Sequence, residues 1–530
     1  MKKILIIVLF QNLGERKTWY ADSPAPPLPG LLLAGLTPPV VEVEVLHEMV
    51  RPVDYGTDAD CIALSFMDYC APHAFDVARR FRALGKTVIA GGKYATSNPD
   101  DAQPHFDCVV VGEAERVWPR VVRDYVAGRL RERYQAPSCP PLDDIPPPRY
   151  DLAEKRFRVP VVTEATRGCK YNCSFCQLTA TENVYRMRPI PDVIRDLTAT
   201  QALPWHKRRT AMLYDNNLGG DLEYAKDLLR AMAGLDLLAW GAQFSFDCLH
   251  DTEFVRLLAR SNCRMAFIGM ESLNDKSLAH VHKTHNHVEE YRELFERLRR
   301  AGVLTFAGLI FGLDADTVEY FRSLPRRLDE VGPEVVLMSI AIPIPGTPWH
   351  RQLVDEGRIV DHNLAHYEGD HLLFRPKLVG AKQLLDAFRS SNAYFYTWRK
   401  IASRWLRFVR SQPGFGFLPG SVLTSLITTG IYLQLSLFMR HHARVRVLNG
   451  EGLEEAAPRG DDPAAATALS AACTPCASAV HTQSAGGRQR PAPELPGRTP
   501  AYVGGDGDSH RYPQQRRARE ARRPFARAGT

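Results

Sequence analysis

The sequence predicts an α/β protein in four parts: an open parallel sheet of Rossmann-like rhythm, a partial (β/α)6 barrel, a helical region and a disordered tail. Three observations predict it. Short apolar runs alternate with amphipathic stretches, as in parallel strands joined by crossover helices. A proline-rich joint divides that alternation in two, and the second part has the longer period. Beyond about Gly450 the chain is rich in Ala, Pro, Gly and Arg and too poor in large apolar residues to bury a core.

Residues 1–134 carry the first sheet, with strands read in "KILIIVLF", "VEVEVL", "DCIALSF", "TVIAGG" and "DCVVVGE". Between them, "APHAFDVARRFRALG" sets Phe75, Val77, Ala78, Phe81 and Leu84 at helical spacing, and Gly85 supplies the stop. Residues 135–159, with "APSCPPLDDIPPPRY", are too rigid and too donor-poor for a helix or central strand and read as a linker. The barrel occupies 160–348. Its strands are "PVVTEATR", "TAMLYDNN", "WGAQFSF", "RMAFIGME", "LTFAGLIFG" and "VVLMSIAIPIP". Its clearest helix, "HVEEYRELFERLRRAG", aligns Val288, Tyr291, Leu294, Phe295 and Leu298 on one stripe, with Gly302 as the cap. Barrels of this kind place their chemistry at the carboxyl ends of the strands.

Residues 349–450 read as helical. The uncharged run "SVLTSLITTGIYLQLSLFM", 421–439, is nearly long enough to span a bilayer. Ser421, Thr424, Ser425, Thr428 and Thr429 recur at helical spacing, however, and one polar face favours a buried or membrane-surface amphipathic helix over a span. Residues 451–530 form the tail, to which no function is given; its paired Cys473 and Cys476 lack partner ligands.

A chain of 530 residues and 59.5 kDa has room for two or three domains. Its first residues, "MKKILIIVLFQN", have too short an apolar run and no small-residue cleavage site for a signal peptide, and read as a buried strand. Eleven irregularly spaced cysteines argue against a disulfide framework and for a reducing cytoplasm. The net charge of +7 comes only in part from the tail, and no basic stripe interleaved with aromatics points to nucleic acid.

The stretch that carries chemistry is "TRGCKYNCSFCQ", 166–177, with Cys169, Cys173 and Cys176 in one short loop. Thiolates this close share one metal centre, since a disulfide would leave one unpaired. Structural zinc takes four ligands, and the nearest candidates, Cys139 and His206, are not at finger or ribbon spacing. A [4Fe-4S] cubane normally takes four cysteines. Three leave one iron open to bind a substrate, so the loop reads as a catalytic cluster site.

Cys169-x3-Cys173-x2-Cys176, with Phe175 before the last cysteine and the first barrel strand before the loop, resembles the radical S-adenosylmethionine (SAM) superfamily. The resemblance implies that the amino and carboxylate groups of SAM chelate the open iron and that one-electron reduction cleaves SAM to a 5′-deoxyadenosyl radical. It also implies SAM contacts at Phe175 and at later strand ends. These are Asp215, Asn216 and Asn217 in "LYDNNLGG", Gly269 and Glu271 in "FIGMES", Gly308 and Gly312 in "GLIFG", and Pro345, with Gly346 and Thr347, in "PIPGTP". Glu271 is expected beside the ribose and Gly308 and Gly312 beside the adenine.

The amino-terminal region resembles the cobalamin (B12)-binding domain fused ahead of the barrel in one radical SAM branch. The match lies in "PPLPGLLLAGL", in "VIAGGKYAT" with Gly91 and Gly92, and in "VVVGEAE" with Gly112 and Glu113. Glycines at strand ends let a nucleotide tail approach the backbone. Where related domains carry a cobalt-ligating histidine, this chain reads "FQNLGE", so cobalt is expected without a protein ligand from below.

The expected activity is C-methylation of an unactivated carbon in a large apolar small molecule. Its cofactors are a [4Fe-4S] cluster, SAM and cobalamin, and its electrons come from a donor such as a flavodoxin or ferredoxin. Oxidative ring formation on a tetrapyrrole or other polycyclic molecule is the second enzymatic reading. An iron-sulfur electron carrier or sensor is the third, from another class; it would need no SAM pocket.

Overall fold

Helices cover both faces of the first sheet, so its strands are apolar on both sides. Strand β1 (Lys3–Val8) sends Leu5 and Ile7 into one core and Ile4 and Ile6 into the other. The first core is closed by the helix Ala71–Ala83 through Ala74, Val77, Ala78 and Phe81. Helices Leu28–Leu36 and Trp118–Val126 close the second. All pairings are parallel, in the order β2–β1–β3–β4–β5–β6, with β2 Glu42–His47, β3 Cys61–Ser65, β4 Thr87–Gly91, β5 Cys108–Val111 and β6 Arg133–Gln135. The sixth strand goes beyond the five read from the sequence.

The computed structural model describes residues 1–10, 25–181, 183–199, 210–411 and 428–440. Most of "FQNLGE", residues 421–427 and the tail 451–530 therefore lie outside the described residues, as does His206. Both sheets and the helices that follow belong to one compact unit, Met1–Gly460. The linker has little regular structure beyond the 3-10 turn Tyr150–Leu152.

The second sheet is also six-stranded and parallel, in the order β14–β13–β12–β11–β10–β7. Its strands are β7 Val161–Thr163, β10 Thr210–Leu213, β11 Ala239–Phe244, β12 Cys263–Glu271, β13 Leu304–Phe311 and β14 Val335–Ile340. One expected strand is divided: after β7 the chain leaves the sheet, and β8 (Thr166–Arg167) pairs antiparallel with β9 (Arg186–Met187). This small hairpin brackets the cysteine loop.

The period-2 alternation assigns the faces. Ala242 and Phe244, Ala266, Ile268 and Met270, and Ala307, Leu309 and Phe311 pack outward into the core formed with the helix Tyr291–Arg300. The intervening residues face the lumen, where Phe267 and Phe306 meet edge to face at 5.2 Å between centroids. Tyr214, Gln243 and Ile310 share that face and are not fully buried. The lumen is thus mainly apolar.

Among the described residues, four α-helices follow the barrel: Pro348–Asp355, Ala381–Phe395, Trp398–Arg410 and 428–440. Among the described residues no helix is long and apolar enough to cross a membrane.

Candidate active site

The end of β10 braces the entrance to the cysteine loop residue by residue. The Asp215 carboxylate accepts the backbone N–H of Thr166 at 2.5 Å, its hydroxyl at 2.6 Å and the N–H of Ala165 at 3.2 Å. Burial pushes this carboxyl up to about 7, although those donors favour its charged form. Asn216 Oδ1 accepts the N–H of Gly168 at 3.2 Å, and Asn217 Nδ2 lies 3.8 Å from Cys169 Sγ. Inside the loop, Asn183 Oδ1 accepts the N–H of Cys169, while its Nδ2 donates to the carbonyls of Cys169 and Tyr171. Each of the three β10 residues chosen from the sequence therefore touches the loop or its entrance.

The far side is held through Ser174. Its N–H donates to the Val281 carbonyl, and its carbonyl accepts from Trp349 N–H, both at 3.0 Å. Trp349 follows "PIPGTP", in which Pro345 is half-buried and Gly346 has φ +85 and packs on Ala180 of the 3-10 turn Gln177–Ala180. Phe175 packs against the barrel core.

Cys169, Cys173 and Cys176 are all free thiols. Burial pushes Cys173 up to about 11 and raises Cys176 as well, while the Lys283 ammonium pulls both back. Among the described residues no three His, Cys, Asp or Glu side chains converge as ligands of a single metal ion. Three thiolates on a cubane bind three different irons and need not converge. Thiolates are the donors an iron-sulfur cluster takes, so the three residues are compatible with one.

The β12 end carries the most constrained geometry. Glu271 has φ +62, left-handed for a non-glycine residue, and sits at a break in the β12–β13 register. Its Oε1 lies 3.3 Å from Lys283 Nζ. Burial opposes the charge on Lys283, but Glu271 and the two thiols outweigh it and raise the ammonium above its ordinary value. A Cβ on Gly269 would overlap the Glu271 carboxylate, so this glycine makes room for the pair, whereas one on Gly308 would lie in ordinary contact with it at 3.5 Å. Gly312 (φ +96) differs: a Cβ there would press on Leu384 at 2.9 Å. Packing of the helix Ala381–Phe395 by itself accounts for that glycine.

Sequence reasoning missed Lys283, Thr166 and Asn183. Position 283 lies twelve residues beyond Glu271 with no motif to mark it. Lys170 and Tyr171, between the first two cysteines, both have protein partners. Lys170 pairs with Asp247 at 2.6 Å, and Tyr171 stacks on His285 with centroids 3.4 Å apart.

On the amino-terminal sheet, Gly92 (φ +95) leaves no room for a Cβ, which would come within 2.6 Å of the Phe66 carbonyl. Beside it, Gly91 is open, with only the Leu64 carbonyl at 4.0 Å. Gly112 (φ +88) lies close to Ala136. Glu113 is engaged by the barrel: its carboxylate pairs with Arg167 at 2.7 Å and Arg186 at 2.5 Å, on the two strands of the hairpin. Arg167 also pairs with Glu115 and Glu164. A second bridge joins the sheets where Gln177, next to Cys176, donates to Asp68 at 2.5 Å.

Residues 163–328 match the radical SAM superfamily model. The chain is 29% identical over 387 residues to the bacteriochlorophyllide d C-12(1)-methyltransferase of Chlorobaculum tepidum, a match covering 71% of this chain and 84% of that protein. It is 28% identical over 434 residues to the C-8(2)-methyltransferase of the same organism, covering 78% and 93%. Among solved structures it resembles the cobalamin-dependent SAM radical enzyme OxsB with aqua-cobalamin bound, at TM-score 0.59 and 13% identity, covering 83% of this chain and 76% of that one. That likeness is one of fold, and it extends over both sheets. The cysteine loop at the mouth of the six-stranded barrel lies within the stretch that matches the radical SAM superfamily, so the sequence likeness and the barrel geometry fall on the same part of the chain.

Proposed function

We propose that the protein is a cobalamin-dependent radical SAM C-methyltransferase acting on a large apolar small molecule. The observation that carries this reading is the position of the cysteine loop, between a mainly apolar barrel lumen and the strand ends of the amino-terminal sheet. Cys169, Cys173 and Cys176 would hold the cluster, the β12 end with Glu271 and Lys283 would hold SAM, and the open backbone at Gly91 would admit the cobalamin tail. When bound, these groups supply radical hydrogen abstraction and a transferable methyl group.

The chain's own residues bind, orient and exclude water. The lumen offers Phe267, Phe306 and Ile310 to an apolar substrate, with Tyr214 and Gln243 as polar contacts. The Gln177–Asp68 bridge and the Glu113 ion pairs keep the amino-terminal sheet against the loop. The methyltransferase names of the two bacteriochlorophyllide relatives support methyl transfer over ring formation, and their substrates support a polycyclic apolar class. A cytoplasmic site with a flavodoxin or ferredoxin as electron donor fits free thiols and a reducible centre.

The test is mass spectrometry of candidate polycyclic molecules incubated with reconstituted, reduced protein, SAM and methylcobalamin. A gain of one methylene unit is expected. Loss of hydrogens with ring closure would replace methyl transfer by the cyclase reading, and failure to cleave SAM would leave an electron carrier.

A further inference from the structure

The helix 428–440 lies against the helix Trp398–Arg410. Tyr432 Oη donates to the Ile401 carbonyl at 2.8 Å, Trp405 Nε1 donates to Thr429 Oγ1 at 3.3 Å, and the Arg440 guanidinium covers the Trp398 ring at 4.6 Å. These contacts fix which side faces in, and that side mixes polar and apolar residues. Thr428, Tyr432, Ser436 and Met439 are buried, whereas Leu433, Leu437 and Phe438 are 41, 44 and 37% exposed. Trp398, at 58%, and Leu406, at 38%, extend the apolar face onto the neighbouring helix. A helix bordering water turns its apolar side inward. Here the outer side is apolar as well, with Leu433, Leu437 and Phe438 exposed.

Charge narrows the choice of what meets it. From Ala387 to Arg440 the sequence contains seven Lys or Arg and no Asp or Glu. Arg399 and Arg410 are exposed on the same helix as Trp398 and Leu406. An outward face of Trp, Leu and Phe with exposed Arg399 and Arg410 beside it, on helices that carry no acidic residue of their own, matches the headgroup layer of an anionic bilayer: apolar groups enter the acyl boundary while cations meet lipid phosphates.

We propose that these two helices dock the protein peripherally on a membrane surface that contains anionic lipid. The helices lie on the surface and do not cross it. This goes beyond the methyl-transfer reading and is independent of it.

The test is flotation of the full chain with vesicles of phosphatidylcholine alone and of phosphatidylcholine with phosphatidylglycerol. Binding is expected to the anionic vesicles, to weaken with added salt, and to be accompanied by a blue shift of tryptophan emission. The pair Leu433→Glu and Leu437→Glu should weaken binding at least about tenfold, since each leucine loses its apolar burial. Arg399→Glu with Arg410→Glu is the second variant and should weaken binding to the anionic vesicles while leaving circular dichroism unchanged. Absence of binding at low salt overturns the proposal, as does binding indifferent to both variant pairs. A dimer in solution that the leucine variants dissociate would assign the face to a second copy, and binding only to an acidic protein would assign it to such a partner.

Discussion

The two sheets share strand number and direction, yet they finish their strands differently. In the amino-terminal sheet the strand ends turn on glycines, and Gly92 and Gly112 adopt left-handed backbone where bare chain packs against chain. In the barrel, β12 ends on Glu271 in the same left-handed region, with its carboxylate over Gly269 and paired to a buried Lys283. The first arrangement fills two of its glycines with neighbouring chain and leaves open backbone at Gly91. The second concentrates strain and paired charge at one point, as sites that orient a reacting group do. Architecture alone does not tell a cradle from a reactive centre; the residues at the strand ends do.

The largest expected effect separates the sheets outright. Replacing any one of Cys169, Cys173 and Cys176 by Ala should take anaerobically reconstituted protein from about four irons per chain to near none, while Gly91→Ala retains them. Iron assay and the visible cluster absorption check it. Full iron in the triple variant would detach the loop from metal altogether.

Next comes the buried pair. Lys283→Met strands the Glu271 carboxylate and should cost about 3 to 5 kcal/mol, read as lost hydrogen-exchange protection in β12 and β13. Adding Glu271→Gln should recover a large part. A barrel indifferent to the single change would mean that water already solvates Glu271.

A pH titration should mark the other sheet. Burial pushes His47, at the end of β2, down to about 4. Between the unfolded value of about 6.5 and that folded value the unfolded chain takes up a proton the folded one refuses, so stability is lost as pH falls through this window, by up to about 3 kcal/mol. Urea unfolding of the amino-terminal sheet at pH 7.5 and 5 measures it. A His47→Leu variant should flatten the dependence; an unchanged slope would assign it to other groups.

The smallest contrast sits within one dipeptide. Gly92→Ala should destabilise the amino-terminal sheet by about 1 to 3 kcal/mol because of its left-handed backbone and its overlap with Phe66. Gly91→Ala should change stability by less than about 0.5 kcal/mol and instead reduce cobalamin retention after refolding with an excess. Equal effects at the two positions would remove the distinction between a folding glycine and a binding one.

Much of this was readable from the sequence. The barrel strands and the cysteine spacing are local patterns, and local patterns survive in a linear string. The β8–β9 hairpin was not foreseen because two-residue strands carry no periodic signal, and β6 offers only Tyr134 as a buried residue. Lys283 stayed hidden because its partner is chosen by the Glu271 backbone turn and by space cleared at Gly269. The helix 428–440 is a partial case. Its polar stripe was evident, but which face turns inward depends on Tyr432 and Trp405 reaching across to the neighbouring helix.

The braces around the cysteine loop also bear on how the enzyme is made. Asp215, Asn216, Asn217, Asn183 and the Ser174 backbone hold that loop with protein groups alone. A zinc finger acquires its shape from its metal. Here the bracing groups belong to the barrel, so on the proposed reading the loop would take much of its shape from protein contacts, and cluster assembly would depend more on delivery of iron and sulfide than on folding of the loop.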